Sequence, residues 1–492
     1  MRSIPTTPPS QESIDTMKRT MYALLAAALL GGTLHAEKIL VERATMEKLL
    51  QELQSLKKRV YVLEHRRVDT RKSIEELEAY TEEVETKVLE NKLKFGFDFK
   101  TDWNWFDKRY ADGHEVYTDN VWSTKLMLNM GARITPDMRF TGRLSMYKYW
   151  GTGLIHPYSL YDNMQGRVPS DSGIYVERAY VDWFFNRNGA VPFALTLGRQ
   201  PSSDGPSRQY KMNTTRKATY SALLYDGAAD GAVLTANISR YTRPGTYLRF
   251  GYAKGYGYTE TGVGVLNAFV GPSDSDLKDT NIYGLFLDTT IPGLERSLVQ
   301  ISASRMTDII ANPLDGNSSG NTNIGDADMF GIMAEGTDIH GSGLDLFAHF
   351  GYTIAHPNGQ RYGSWGGFLS ETGDRSEKYG NAIWVGGRYA LPGTRFKLGA
   401  EYNHGSKNWI SLTQGSGIYN KLATRGDAWE FYAMYVLNRY TNLNVGFLQI
   451  DYDNTRSGWF VGPSRPIDGA SDDAERILER LRSIYFEFHV KY

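Results

Sequence analysis

The sequence predicts an all-β fold, a 16-stranded antiparallel transmembrane β-barrel preceded by an N-terminal α-helical coiled coil. Three observations predict the barrel. From residue 93 onward, apolar and polar side chains alternate over many short segments, which is the period of strands with two different faces. Short and long connections join these segments in turn. After residue 36, no stretch approaches the roughly 20 apolar residues of a membrane helix.

Composition narrows the classes of function. The 492 residues carry 55 basic and 56 acidic side chains, and this net charge of −1 gives no reason to expect nucleic acid as a partner. The 32 Tyr, 10 Trp and 50 Gly residues suit strands whose ends lie at a membrane interface. The absence of cysteine excludes disulfides, thiolate metal sites, cysteine nucleophiles and covalently attached haem.

Residues 1–36 have the order of parts that a secretory signal peptide requires. The basic pair Lys18-Arg19 precedes an apolar run from Met21 to Leu30, and the small residue Ala36 ends a cleavage-like site. Met17 is the expected start of translation. The alternative is a membrane anchor that stays attached, but the apolar run is too short to span a bilayer comfortably.

Residues 37–92 predict one helix in a periplasmic coiled coil. They contain no Gly or Pro, and their apolar residues follow a spacing of three and four. The seam consists of Met46, Leu49, Leu53, Leu56, Val60, Leu63, Ile74, Leu77, Val84 and Val88. A sustained 3.5-residue period keeps one stripe facing a partner helix, so we expect an oligomer, with a trimer as the choice. The alternative is a single amphipathic helix lying on a globular core.

The period-two segments predict sixteen strands, each long enough for the roughly 9–11 residues of a tilted membrane strand. They cover residues 93–103, 119–133, 137–150, 174–186, 191–200, 229–241, 246–256, 279–290, 297–309, 326–338, 342–354, 380–390, 394–406, 427–438, 441–453 and 481–492. The alternative is a soluble all-β protein, whose loops would show no strict alternation of length between its two ends.

The connections between these strands alternate in length without exception. The short set comprises 134–136, 187–190, 242–245, 291–296, 339–341, 391–393 and 439–440. The long set comprises 104–118, 151–173, 201–228, 257–278, 310–325, 355–379, 407–426 and 454–480. Short turns on one side and long loops on the other are typical of an outer-membrane barrel with both ends on the periplasmic side.

The sequence resembles bacterial outer-membrane porins over residues 93–492. The resemblance rests on the sixteen strands, on the last strand with its aromatic terminal residue Tyr492, and on the segments Glu177–Trp183 and Leu197–Gln200. It also resembles an uncharacterised porin-like family of exported bacterial proteins with an N-terminal coiled coil. The resemblance implies a water-filled pore and is specific for architecture rather than for substrate.

Strand alternation assigns ten charged side chains to the lumen. These are Lys125, Arg133, Arg139, Arg143, Arg178, Asp182, Arg249, Arg388, Lys397 and Glu401. The first five of these residues are basic and lie on three consecutive strands. They predict one basic wall that attracts anions over a screening distance of roughly 8–10 Å. The alternative is that these are ordinary water-facing charges paired with acids such as Asp182. No metal site or cofactor is predicted, since the nine His residues lack ligand spacing.

The resemblance to porins implies that the loop 201–228 folds inward and narrows the channel. Its charged residues are Asp204, Arg208, Lys211, Arg216, Lys217 and Asp226. Because these charges are mixed in sign, they leave the direction of any transverse field open.

The sequence thus predicts a porin in the outer membrane of a Gram-negative bacterium, passing small hydrophilic solutes or ions with some anion preference. The expected partners are outer-membrane lipid, two further copies of the chain, and peptidoglycan through the coiled coil. The alternative is a structural tether or receptor barrel whose coiled coil binds peptidoglycan or a periplasmic partner. An enzyme is not expected, because no Ser or Asp joins a His in a convincing set on one rim.

Overall fold

The computed structural model describes residues 51–52, 54–55, 93–150, 174–201, 204–256, 278–311, 322–362, 365–413, 419–467 and 477–492. Residues 51–52 and 54–55 are helical. The predicted signal peptide and the rest of the predicted coiled coil lie outside the described residues. Within the described part of the chain, no helix combines the length and apolar character needed to cross a bilayer.

One compact unit spans Val88–Tyr492 and contains a closed antiparallel barrel of sixteen strands, as predicted. The barrel strands are β1 (Leu93–Tyr110), β2 (Glu115–Thr135), β3 (Met138–Tyr149), β4 (Tyr175–Phe185), β5 (Phe193–Pro201), β7 (Ala228–Asn237), β8 (Tyr247–Tyr256), β9 (Thr280–Thr289), β10 (Ser297–Ile310), β11 (Asn323–Gly336), β12 (Leu344–Pro357), β13 (Lys378–Ala390), β14 (Phe396–Gly405), β16 (Gly426–Val436), β17 (Thr441–Tyr452) and β18 (Leu478–Lys491).

Four short elements lie in two of the loops between barrel strands. The helix α1 (Arg208–Met212) and the two-residue strand β6 (Tyr225–Asp226) belong to the connection between β5 and β7. The strand β15 (Leu412–Thr413) and the 3-10 turn Lys421–Ala423 belong to the connection between β14 and β16. None of these elements was predicted from the sequence, because each is too short to show a period.

The barrel closes between its first and last strands. Trp103 of β1 lies opposite Phe486 of β18, and the ladder continues to the end of the chain. There the backbone N–H of Phe97 donates to the carbonyl of Tyr492 (3.1 Å), and the N–H of Tyr492 donates to the carbonyl of Phe97 (2.8 Å). Closure pairs every strand on both sides, which is the condition for a sheet to lie in lipid.

The outward face of the barrel is apolar, as a lipid-facing surface must be. Exposed aliphatic and aromatic side chains occur on it at Leu126, Leu128, Ile301, Ile332, Phe350, Phe431, Val445, Phe447 and Ile484. Aromatic pairs lie near both rims, for example Trp122 with Trp150 at one end and Phe396 with Tyr435 at the other. Amphipathic aromatic rings are favoured at the two interfaces of a membrane.

The connections do alternate in length, with one exception. At the end that we call the short-turn end, the shortest connection is 136–137 and the longest is 238–246. At the opposite, long-loop end, the longest connection is 202–227, but the first connection is only 111–114. The long loop predicted at 104–118 is therefore wrong.

The strands β1 and β2 instead continue beyond the apolar band. Asn104 and Phe106 remain buried on the inner face, so the alternation of the strand persists. The outer face becomes charged there, with Arg109 bound to Glu479 (3.2 Å) and Arg482 near Asp107 (3.7 Å). This loss of the apolar stripe made the segment resemble a loop in the sequence.

Candidate functional site

One side of the lumen wall, from β9 to β13, is covered, and its inward face combines large apolar side chains with buried polar ones. Its inward side chains include Phe286, Met329, Phe347 and Trp384. They form one buried cluster with loop residues that enter the lumen, namely Tyr210, Ala222, Leu223, Leu224, Tyr225, Trp409 and Leu422. We call this wall the packed half, and we call the described residues of 204–226 and 406–425 the plug.

The two segments of the plug are joined to each other. The strands β6 and β15 pair in parallel, with Leu412 opposite Tyr225. The backbone N–H of Leu412 donates to the carbonyl of Leu224 (3.0 Å), and the Ser411 hydroxyl donates to the carbonyl of Leu223 (2.9 Å). These bonds satisfy backbone groups that would otherwise be buried without partners.

Two glycines on neighbouring strands make room for the plug. Gly331 of β11 lies directly opposite Gly351 of β12. A Cβ atom would lie 2.2 Å from Leu224 at Gly331 and 2.5 Å from the Trp409 ring at Gly351. Only residues without a Cβ allow the two plug side chains to approach the wall this closely.

Buried hydrogen bonds also attach the plug to the packed half. The Ser207 hydroxyl donates to Glu335 (2.7 Å) and lies 3.1 Å from His349 Nε2, while Ser221 lies 2.7 Å from His349 Nδ1. Ser207 is fully buried, so a substrate has no access to this serine and histidine. We assign the group an anchoring role, since each buried polar atom needs a partner.

The opposite wall, formed by β14, β16 to β18 and β1 to β3, is charged and only partly covered. We call it the charged half. Between it and the plug lies a cavity of about 80 Å³. The cavity is lined by Lys100, Lys125, Tyr147, Asp204, Arg208, Lys211, Met212, Trp384, Glu401, Asn420, Lys421, Leu422, Glu430, Asn444, Glu487 and His489.

Ion pairs connect the wall and the plug across this cavity. Lys211 of α1 binds Glu430 of β16 (2.6 Å). Lys421 binds Glu401 of β14 (2.5 Å) and also Glu430. On the wall itself, Lys100 binds Glu487 (3.0 Å). Both signs of charge are therefore present, and they compensate each other.

Towards the long-loop end, an apolar layer covers the charged half. Tyr419 of the plug packs there with Phe106, Leu448, Ile450 and Leu481 of the wall. A further cluster joins the loops 358–377 and 453–477, where Phe368 and Val461 form an isolated backbone bridge. The cavity residues of β1 and β18 lie nearer the short-turn end than this layer.

The family of the chain follows from its sequence. Residues 115–492 match the family model described as "Protein of unknown function (DUF3373)". The chain belongs to this family. Among curated proteins, none matches the sequence.

Solved outer-membrane proteins share the architecture of this family member. Pseudomonas putida OprB is 12% identical with a TM-score of 0.49, covering 83% of this chain and 96% of OprB. Salmonella typhi OmpF in complex with daunomycin is 11% identical with a TM-score of 0.43, covering 81% and 97%. Vibrio cholerae OmpT is 12% identical with a TM-score of 0.41, also covering 81% and 97%. The closed barrel of sixteen strands confirms the resemblance to outer-membrane porins in architecture. At these identities, the similarity to the solved structures concerns the fold alone.

The five residues of the predicted basic wall do not form one surface. Lys125, Arg143 and Arg178 lie together, buried on the inner face. Arg133 and Arg139 are exposed near the short-turn end, where Arg139 lies over the Phe184 ring at 5.5 Å. The two groups lie at different heights along the barrel axis, and the alternation of faces does not specify this height.

The buried arginines are paired with acids. Arg143 binds Glu177 (3.1 Å) and Asp204 (2.7 Å), and Arg178 binds Asp204 (2.6 Å). Lys125 lies 3.9 Å from Glu177. The predicted loop residue Asp204 thus meets the predicted wall, and Glu177 is the member of this cluster that sequence reasoning missed.

A β-bulge explains why Glu177 was missed. The register between β3 and β4 shifts between Arg143 and Leu144, so Arg143 lies opposite Arg178 while Leu144 lies opposite Val176. The extra residue breaks the alternation of faces, and both Glu177 and Arg178 are buried. Strict alternation had placed only one of these neighbours in the lumen.

The other predicted wall residues are also bonded within the lumen. Asp182 accepts from Thr196 (2.6 Å), and Arg249 pairs with Asp288. Arg388 binds Asp345 (2.6 Å) and donates to the backbone carbonyl of Tyr210 in the plug (2.7 Å).

The predicted loop residues mostly tie the plug to itself or to the wall. Arg208 pairs with Asp226 inside the plug. Arg216 binds Glu335 of the packed half (3.0 Å). Lys217 is exposed, and its backbone N–H donates to the carbonyl of Asp204 (3.1 Å).

One group of side chains among the described residues has metal-ligand spacing. His404, Asp427 and Asp453 bring their ligand atoms within 4.8 Å of one another. Asp427 already accepts from the Tyr402 hydroxyl (2.6 Å) and lies 3.0 Å from His404. The residues next to His404 and Asp427 on their strands face the lumen, so these two side chains face outward. The group therefore lies on the outer surface, apart from the cavity.

Proposed function

We propose that this protein is an outer-membrane porin of a Gram-negative bacterium, through which small hydrophilic solutes diffuse passively along the charged half of the lumen. The cavity of about 80 Å³ beside the plug is the observation on which the proposal depends. It is lined by lysines and carboxylates, it lies within a closed barrel, and its charged wall would replace part of the hydration of a solute. No chemical step is involved.

We expect no strong anion preference in this pore. The preference predicted from the sequence depended on basic residues without nearby acids. Arg143 and Arg178 are instead compensated by Glu177 and Asp204, and the lysines of the cavity by glutamates. Charges that are paired within a few ångströms produce little field at the distance of a passing ion.

A closed tether or receptor barrel is the second candidate. The packing of the plug favours it, since Leu224 and Trp409 are at most 1% exposed and seal the packed half. In this alternative the coiled coil predicted at 37–92 would bind peptidoglycan or a periplasmic partner. The trimer likewise stays a prediction, to be measured by light scattering of the purified protein.

Conductance of the purified, folded protein in a planar bilayer separates these candidates. The porin proposal predicts stable steps of low conductance, because the plug occupies the packed half. Folding is checked by the shift in electrophoretic mobility that a barrel shows before and after boiling. Folded barrels that give no steps at any voltage would exclude the pore and support the tether or receptor.

A further inference from the structure

Two carboxylates of the charged half face each other on neighbouring strands. Glu401 of β14 and Glu430 of β16 are directly opposite in the register, and both are buried. Like charges in this position destabilise a sheet unless a cation lies between them. The wall therefore requires a cation at this point of the lumen.

The wall itself fixes the position of both carboxylates. The Trp384 indole N–H donates to Glu401 (3.0 Å), and the Tyr485 hydroxyl donates to Glu430 (2.9 Å). Both donors are on barrel strands and almost fully buried. Each acid is thus held by a donor of the wall in addition to the lysines of the plug, as in a preorganised binding site.

The cations at this position, in contrast, come from the plug. Lys421 contacts both carboxylates, and Lys211 contacts Glu430. Their ammonium groups also lie over aromatic faces, Lys211 at 4.3 Å from the Tyr485 ring centre and Lys421 at 5.8 Å from that of Trp384. Carboxylates combined with aromatic faces are the chemistry that recognises ammonium groups.

Two buried polar atoms nearby have no partner among the residues that the structure describes. They are Asn403 Oδ1 on β14 and the Tyr432 hydroxyl on β16, and both residues are at most 4% exposed. Each lies on the same inward face as the adjacent carboxylate, two positions along its strand. The two atoms lie on opposite sides of the carboxylate pair, since Asn403 is opposite Ala428 and Tyr432 is opposite Gly399. One ammonium group, with its three N–H donors, can therefore use only one of them as a further acceptor.

We infer that Glu401 and Glu430, with Trp384 and Tyr485, form a binding site for the ammonium groups of small organic cations. Lys421 and Lys211 occupy this site when no solute is bound. The inference rests on the proposed pore and names its substrate class, which is primary amines and diamines. An amine binds by displacing a lysine of the plug, so binding and loosening of the plug are coupled.

The test is titration of the folded, full-length protein with 1,5-diaminopentane in a calorimeter. Lys421→Met removes the competing ammonium group and should tighten binding by about tenfold, which corresponds to about 1.4 kcal/mol. Lys421→Met combined with Glu430→Gln should abolish the gain. Lys421→Arg, which keeps the positive charge, should bind like the wild type.

Lys378→Met is the matched control, because Lys378 pairs with Asp374 of the loop 358–377 (2.7 Å), does not line the cavity and should not alter amine affinity. Equal affinity of wild type and Lys421→Met, or a gain that survives Glu430→Gln, would overturn the site. Conductance is recorded on the same samples. Amine binding without conductance keeps the site and rejects the pore, whereas conductance without amine binding keeps the pore and rejects the site.

Discussion

The two halves of the lumen differ in what lies against them. The packed half is covered by the plug, with Met329, Trp409 and Leu224 almost fully buried. The charged half keeps a cavity whose acids and lysines compensate each other. A transmembrane barrel can thus contain a hydrophobic core on one side of its bore and leave the other side for water.

Leu224→Ala should have the largest effect on this difference. Leu224 is a plug residue that is fully buried against the wall, and removing such a side chain costs about 2–5 kcal/mol. The loss falls on the docking of the plug, so we expect larger conductance steps in a planar bilayer. Leu285→Ala, on the outward face and 50% exposed, is the control. Unchanged steps in Leu224→Ala would mean that the plug does not limit the flow.

Gly351→Ala should have the next largest effect. The new Cβ would lie 2.5 Å from the Trp409 ring, and overpacking of this kind costs about 1–3 kcal/mol. We expect the plug to dock less stably, which is measured as faster cleavage of the plug by a protease. Gly251→Ala is the matched control, because its Cβ would meet ordinary contacts at 3.6 Å. Equal cleavage rates in the two variants would contradict the close fit of Trp409.

Glu177→Gln should have the smallest effect and act on the charged side of the bore. It removes one of the two acids that pair with Arg143 and Arg178 and leaves Asp204, and so adds one positive charge to the wall. We expect the permeability ratio of chloride to potassium to rise about two- to threefold, since the charge acts within about 8–10 Å. The measurement is the reversal potential in a salt gradient. Glu371→Gln, an exposed partner of Arg465, should leave the ratio unchanged.

The charged half was easier to predict from the sequence than the packed half. On β18, Ile484, Phe486 and Phe488 alternate with inward polar residues, so both the strand and its faces could be assigned. On β13, Ile383, Trp384 and Val385 are apolar in succession, because Trp384 faces a plug rather than water. The alternation of apolar and polar side chains disappears wherever both faces of a strand contact apolar surroundings.

Within the site, the sequence indicated which loop contains charged residues but not their partners. Asp204 and Lys211 were singled out, whereas Glu177 was hidden by a bulge and Glu430 had no special signal. The pairing of β6 with β15 joins residues far apart in the chain through two residues on each side. Such contacts depend on the closed barrel bringing two loops together, and no local pattern encodes them.

The parallel pair of β6 and β15 has a mechanical consequence. It links a loop that starts from β5 with a loop that starts from β14, which are strands at separate positions around the circumference. Inside a hollow cylinder, such a link acts as an internal strut and resists flattening of the cross-section by the lateral pressure of the bilayer. The shape of the bore is therefore maintained from within as well as by the hydrogen bonds of its wall.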